Sequence, residues 1–298
     1  MRKKHSTIIP IFLSIILLIS GCGQADHPAE SFSGESALLF IEEQMSFGPR
    51  IPGSEGHKNE RQWIQQSLKE FGWDVETQTS EYKGVPIYNF TASRPAQLDA
   101  ERILIGAHYD TRILADNSAG VIDQGKPVMG ANDGASGVAV LMELARVLPK
   151  YNHLDINLVF FDAEDNGDIE GREWIVGSTH YAADLTEMPN IVVIIDMIGD
   201  SQQEIFFEKY SDEKLREEIW EVASQKGINS FIHEEKSHIY DDHIPFLRLG
   251  IPSVLLIDFD YPYWHTTEDT LDKVSATSLE NVGQVLQDWL IWRDKGAE

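Results

Sequence analysis

The chain has one cysteine in 298 residues, and only 24 lysines and arginines against 49 aspartates and glutamates. A single cysteine excludes an intrachain disulfide and any metal site built from several thiolates. The formal net charge is −25. So few cations leave no basic footprint for phosphates, and no nucleic-acid partner is expected. Long apolar runs are scarce too. The clearest, Ile8 to Ile19, is too short to span a bilayer comfortably. No internal repeat and no second domain is apparent.

That apolar run follows Arg2, Lys3 and Lys4 and leads into Ile19-Ser20-Gly21-Cys22. Small residues before a cysteine at the end of an export signal resemble the bacterial lipobox. The resemblance implies a signal peptide over residues 1–21, with Cys22 as the lipidated first residue. It also implies export and anchoring to the outer face of a bacterial cell membrane. Residues 22–34 read as a flexible linker with a reach of roughly 20 Å. Removing residues 1–21 takes away three cations and no anion, which moves the charge from −25 to −28. Most of this charge serves solubility, but part of it can gather at a cation site. Residues 35–298 are expected to form the catalytic domain.

Hydrophobic spacing predicts helices over Glu35–Ser46, His57–Phe71, Gly134–Leu148, Trp174–Ala183, Ser211–Lys226 and Ser275–Arg293. Strands are expected over Trp73–Glu81, Ile87–Ser93, Arg102–Ala107, Ile156–Phe161, Ile191–Ile195 and Ser253–Ile257. The last four are almost continuously apolar, as strands buried on both faces are. The fold class that follows is α/β. It would be a single domain with a mixed, mostly parallel sheet flanked by helices on both faces. Two long irregular stretches, Thr111–Ala131 and Asp258–Thr270, are expected to carry function.

Ligands of open α/β sheets sit beyond the carboxyl ends of the strands. Four apolar strands deliver ionisable groups there. His108 and Asp110 follow the first, Asp162, Glu164 and Asp165 the second, Asp196 the third, and Asp258 and His265 the fourth. Asp133 stands just before a helix start. Each carboxylate alone could be a turn or cap residue. Together they would repel strongly without a cation. Two histidines among them point to zinc over magnesium or calcium. Glu164 beside Asp165 suits a free base next to a metal ligand, and Asp110 could orient His108.

The ordered set His108-Tyr109-Asp110, Gly130-Ala131-Asn132-Asp133-Gly134-Ala135-Ser136-Gly137, Phe161-Asp162-Ala163-Glu164-Asp165, Asp196 and Trp264-His265-Thr266 resembles the zinc aminopeptidase and glutaminyl cyclase superfamily. The resemblance covers roughly Phe40 to Trp292. In the aminopeptidase branch it implies two zinc ions on His108, Asp133, Asp165, Asp196 and His265, with Asp133 bridging and Glu164 as base. In the glutaminyl-peptide cyclotransferase branch it implies one zinc on Asp133, Asp165 and His265. Glu164 would then shuttle a proton within a network completed by Asp196 and Asp241. Asp241-Asp242-His243-Ile244-Pro245-Phe246-Leu247-Arg248 and Trp264 resemble the cyclase branch more closely, as its bacterial members of the animal type do. Asp165 departs from the animal cyclases, which carry Glu there. The expected partner is a peptide with a free N-terminus, its side-chain pocket walled by Trp264. A non-catalytic peptide- or metal-binding lipoprotein would have lost a ligand or the base, and both are present.

Overall fold

Alternation along the central strands decides the layering. In the computed structural model, which describes residues 30–296, Ile103, Ile105 and Ala107 point into one apolar cluster while Leu104 points into another. Ile191, Val193 and Ile195 alternate in the same way with Val192 and Ile194. The period of two is that of a strand covered on both faces. The sequence-predicted signal peptide, Cys22 and most of the predicted linker lie outside the described residues.

The elements run in this order: α1 (Gly34–Ser46), α2 (Glu55–Glu70), β1 (Asp74–Tyr82), β2 (Val85–Ser93), β3 (Glu101–His108), α3 (Val121–Gln124), α4 (Ala135–Val147), β4 (Leu154–Phe161), α5 (Val176–Ala183), β5 (Ile191–Asp196), β6 (Ile205–Phe207), α6 (Glu213–Lys226), β7 (Phe231–Glu235), α7 (Ile244–Arg248), β8 (Ser253–Ile257) and α8 (Ala276–Gly296). The main sheet has the order β1-β2-β4-β3-β5-β8. Strands β4, β3, β5 and β8 are parallel, whereas β1 and β2 form an antiparallel hairpin on β4. The expected fold class is therefore met. Residues of α1, α2, α4, α6 and α8 pack in the larger cluster, and residues of α5 and α7 in the smaller.

Three differences from the sequence reading concern the rim. The helix predicted from Trp174 begins at Val176, because Ile175 is held in a left-handed conformation (φ 52°) and cannot continue it backwards. Trp174 is thereby freed to stand in a loop. The parallel pair β6–β7 and the short helix α7 were not predicted; β6 is three residues long and β7 is largely exposed, so neither leaves a pattern. The predicted loop Thr111–Ala131 contains the one-turn helix α3.

Helix α4 lies almost in contact with the strands. A side chain at Gly137 would meet the Ile195 carbonyl oxygen at 2.6 Å and Ala107 Cβ at 2.8 Å. Gly137→Ala should therefore lower the urea midpoint of unfolding by the equivalent of about 1–3 kcal/mol, despite the better helix propensity of alanine. An unchanged or raised midpoint would show that the helix can back away.

Candidate metal centre

The parallel strands end together, and their ends carry the chemistry. His108 closes β3, Asp196 closes β5, Glu164 and Asp165 follow β4, and His265 lies beyond β8. Asp133 precedes α4 and Asp241 precedes α7. Sharp turns aim these side chains inward. Ala163, Met197 and His265 all have left-handed backbones, at φ 54°, 44° and 56°. Non-glycine residues adopt that region at a cost and concentrate at functional sites. The ring of His108 lies against the Cα of Gly134, where a Cβ would sit 2.6 Å from it.

All seven side chains named above are buried. His265 Nε2 lies 2.8 Å from Asp165 Oδ1 and 3.7 Å from Asp133 Oδ2. His108 Nε2 lies 3.2 Å from Asp133 Oδ1 and 3.1 Å from Asp196 Oδ1. These are two triads that share Asp133, each with its donor atoms within 4.8 Å of one another. Ligand atoms around a tetrahedral zinc stand about 3.3 Å apart, so both triads fit the ion by spacing. They differ in how their atoms are occupied. In the Asp133–Asp165–His265 triad, Asp133 Oδ2, Asp165 Oδ2 and His265 Nε2 have no hydrogen-bond partner although buried. In the other, Asp196 Oδ1 already accepts hydrogen bonds from His108 Nε2 and, at 2.8 Å, from the Met197 amide. Buried polar atoms without partners are costly unless a cation takes them. The first triad is thus the better-prepared metal site, and its mixed nitrogen and oxygen donors fit zinc.

The electrostatics point the same way. Burial pushes the Asp165 carboxyl up to about 6, with the charge of Asp133 adding to the effect. Burial likewise raises Asp241 to about 7, beside Asp196. Glu164 is pushed well above the usual carboxylate range, first by burial and then by the like charges of Asp165, Asp241 and Asp242. So many desolvated carboxyl groups in one cleft call for a positive ion.

The cleft, open to solvent on one side, spans about 630 Å³ with that solvent included and is lined by Glu164, Asp196, Asp241, Trp174, Trp264 and Phe259 among others. His265 is flanked by two indoles. The Trp174 ring is stacked on it at 5.8 Å and 9°, and the Trp264 ring lies at 3.9 Å. Trp264, expected to wall the substrate pocket, lines this cleft beside His265. Trp174 was missed because its position was assigned to a helix.

Comparison with known proteins agrees with this geometry. The model of peptidase family M28 matches residues 89–290, about two thirds of the chain. The chain belongs to peptidase family M28. The M28 chain is 27% identical over 280 residues to the glutaminyl-peptide cyclotransferase of Drosophila melanogaster, covering 80% of this chain and 75% of that one. The crystal structure of Porphyromonas gingivalis glutaminyl cyclase superposes with a TM-score of 0.83 at 31% identity, over 89% of this chain and 100% of that one. A leucine aminopeptidase precursor from Bacteroides thetaiotaomicron superposes with a TM-score of 0.81 at 32% identity, over 87% and 97%. This M28 member is an enzyme of the zinc aminopeptidase and glutaminyl cyclase superfamily.

Several expected or overlooked residues hold the centre rather than form it. Asp110, expected to orient His108, stands 3.6 Å from its Nδ1, beyond hydrogen-bond reach. Its carboxylate instead accepts the amides of Glu164 (2.9 Å) and Asp165 (3.3 Å), fixing the turn after β4. Asp269 accepts the amides of Asn132 and Asp133 and the Tyr261 hydroxyl. Arg112 donates to the carbonyls of Asp165 and Gly167 and, bidentately, to Asp116, with its guanidinium over Trp174. Asp162 and Asp258, also expected at the strand ends, are structural. Asp162 pairs with His57 and the Tyr88 amide, and Asp258 takes the amides of Glu204 and Asp260.

The wall carrying Asp241 is fastened by Glu208. This buried carboxylate accepts the amides of Tyr210, Ser211 and Ile239 and lies 3.2 Å from His243 Nε2. Burial opposes its ionisation, but His243 and the amides of Tyr210 and Ile239 outweigh burial and hold its carboxyl down at about 2. A depressed carboxyl contributes stability above its ordinary value of 4.5, and the contribution is lost as pH falls toward 2. The gap in thermal midpoint between the parent and Glu208→Gln should be widest above pH 4.5 and close toward pH 2. A gap independent of pH would refute this role.

Proposed function

We propose that the protein is a zinc-dependent glutaminyl-peptide cyclotransferase, converting an N-terminal glutamine to pyroglutamate with release of ammonia. The observation that carries this reading is the unequal occupancy of the two triads. One presents three orphaned donor atoms, while Asp196 and His108 are hydrogen-bonded to each other beside Glu164 and Asp241. That is one metal position next to a hydrogen-bonded His–Asp pair and two further carboxyl groups that could hold a proton. The Drosophila and Porphyromonas relatives, both named as cyclases, support it.

Asp133, Asp165 and His265 would hold the ion, which supplies Lewis acidity toward a carbonyl oxygen when bound. The peptide's α-amine is tethered to its own γ-amide, so no second reactant needs positioning. Nitrogen attacks the amide carbon, the ring C–N bond forms, and the bond to the departing nitrogen breaks. Glu164 accepts a proton from the amine and delivers it to the leaving ammonia. Asp196 and Asp241 line the same cleft and would tune Glu164 through their charge. Trp174, Trp264 and Phe259 wall the side-chain pocket and exclude the water that would divert the reaction toward hydrolysis.

A two-zinc aminopeptidase is the second reading, favoured by the metric fit of the His108–Asp133–Asp196 triad. There Glu164 would activate water against the first peptide bond. Mass spectrometry of glutamine-initiated peptides separates the two: cyclisation removes the mass of one ammonia, peptidase action a whole residue. The purified protein should hold one zinc per chain, and Glu164→Gln should keep that zinc while turnover falls by at least 100-fold. Two zinc ions with residue-by-residue shortening would establish the peptidase instead.

The N-terminal pattern ending at Cys22 supports a lipoprotein held on the outer face of the membrane. Among the described residues, no helix is long and apolar enough to cross a membrane. Cys22→Ser should release the protein from the membrane fraction; continued sedimentation with membranes would exclude lipidation at this residue.

A further inference from the structure

The turn Gly48-Pro49-Arg50-Ile51-Pro52-Gly53-Ser54-Glu55-Gly56 has no part in the chemistry above, yet Arg50 in it is completely buried. Its guanidinium reaches the segment that leads to Asp133. Nη1 donates to the Met129 carbonyl, and Nη2 donates to the Gly130 carbonyl at 2.7 Å. On the other side, Nε faces Glu60 Oε1 at 3.4 Å, and Glu60 is also fully buried. The backbone of Arg50 is itself pinned. Its amide donates to Thr111 Oγ1 at 2.9 Å, and its carbonyl accepts the Thr111 amide at 3.2 Å.

The segment it grips is tightly folded. Gly130 has φ +65°, and a side chain there would meet the Asp133 carbonyl oxygen at 2.2 Å and Arg50 Nη2 at 3.1 Å. Asp269 holds the same segment from the opposite side, through the Asn132 and Asp133 amides. Carbonyls are thus held by Arg50 and amides by Asp269 along the five residues that end at Asp133. A planar fork can take two neighbouring carbonyls at once, whereas a lysine ammonium cannot reproduce that geometry. The M28 match begins at residue 89, so this grip comes from chain that precedes it.

We propose that Arg50 is a positioning residue of the metal centre: by holding the consecutive carbonyls of Met129 and Gly130 it fixes the turn that presents Asp133, with the buried Glu60 side chain beside its Nε. The inference rests on the reading of Asp133 as a zinc ligand.

The test compares the parent protein with Arg50→Lys, the double variant Arg50→Met/Glu60→Met, and Asp133→Ala. Zinc affinity is measured by competition with a chromophoric chelator, and the coordination sphere by the visible absorption of cobalt-loaded protein. Values of kcat and KM are measured on glutamine-initiated peptides at saturating zinc. Both Arg50 variants should bind zinc about tenfold or more weakly and change the cobalt bands. Their kcat should fall with KM nearly unchanged. The double variant replaces both buried polar side chains together, so neither is left without its neighbour; it decides the matter if Arg50→Lys does not fold. Parent-like zinc affinity and cobalt bands in a folded Arg50 variant would overturn the proposal. Zinc retained at parental affinity by Asp133→Ala would instead overturn the reading of the centre, and this inference with it.

Discussion

Mutual repulsion among buried carboxylates is the constraint on which this structure turns. Asp133, Glu164, Asp165, Asp196 and Asp241 are desolvated in one cleft at the end of the parallel strands. In water such a group would be tolerable; in a dry cleft it is not, because desolvation penalises each charge and proximity penalises them jointly. The two histidines offset part of the cost. A divalent ion held by Asp133, Asp165 and His265 would offset most of the remainder. Under the proposed reading Glu164 would remain a free carboxyl group beside a ligand, which is the condition for acting as a base.

A repelling cluster must also be held in place. The turns around it are fixed by side chains that never enter the cleft: Asp110 under the turn after β4, Asp269 and Arg50 on either side of the Asp133 turn, and Glu208 behind the Asp241 wall. Each supplies hydrogen bonds to backbone groups, so it controls where a ligand's Cα stands rather than where its carboxylate swings. Precision of this kind suits catalysis, in which small displacements of a reacting group are expensive.

Much of this could be read from the chain alone, for identifiable reasons. The four buried strands announce themselves as unbroken apolar runs, and the ionisable residues just after them mark the functional edge. Asp133, Asp165 and His265 stand in recognisable ordered motifs, and the structure gathers them. Other features left no pattern. Trp174 sits in a loop only because Ile175 adopts a left-handed backbone, a choice that tertiary contacts impose and sequence does not advertise. Asp110 looked like a partner for His108, since the two are separated by one residue. Its bonds to residues 164 and 165 depend on the β3–β4 pairing. Arg50 and Asp269 lie about 220 residues apart in the chain and meet one turn from opposite sides, a relation invisible to local periodicity.

The three residues that would grip the ion come from positions 133, 165 and 265, and the strands that space them pair in an order unlike their order in the chain. Asp133 and Asp165 lie 32 residues apart, but His265 stands 100 residues further on, so no short stretch of polypeptide contains all three. An incompletely folded chain would then lack the complete set of ligands, so the ion should bind the folded state far better. Loss of the metal and loss of the fold should then be linked events, each making the other easier.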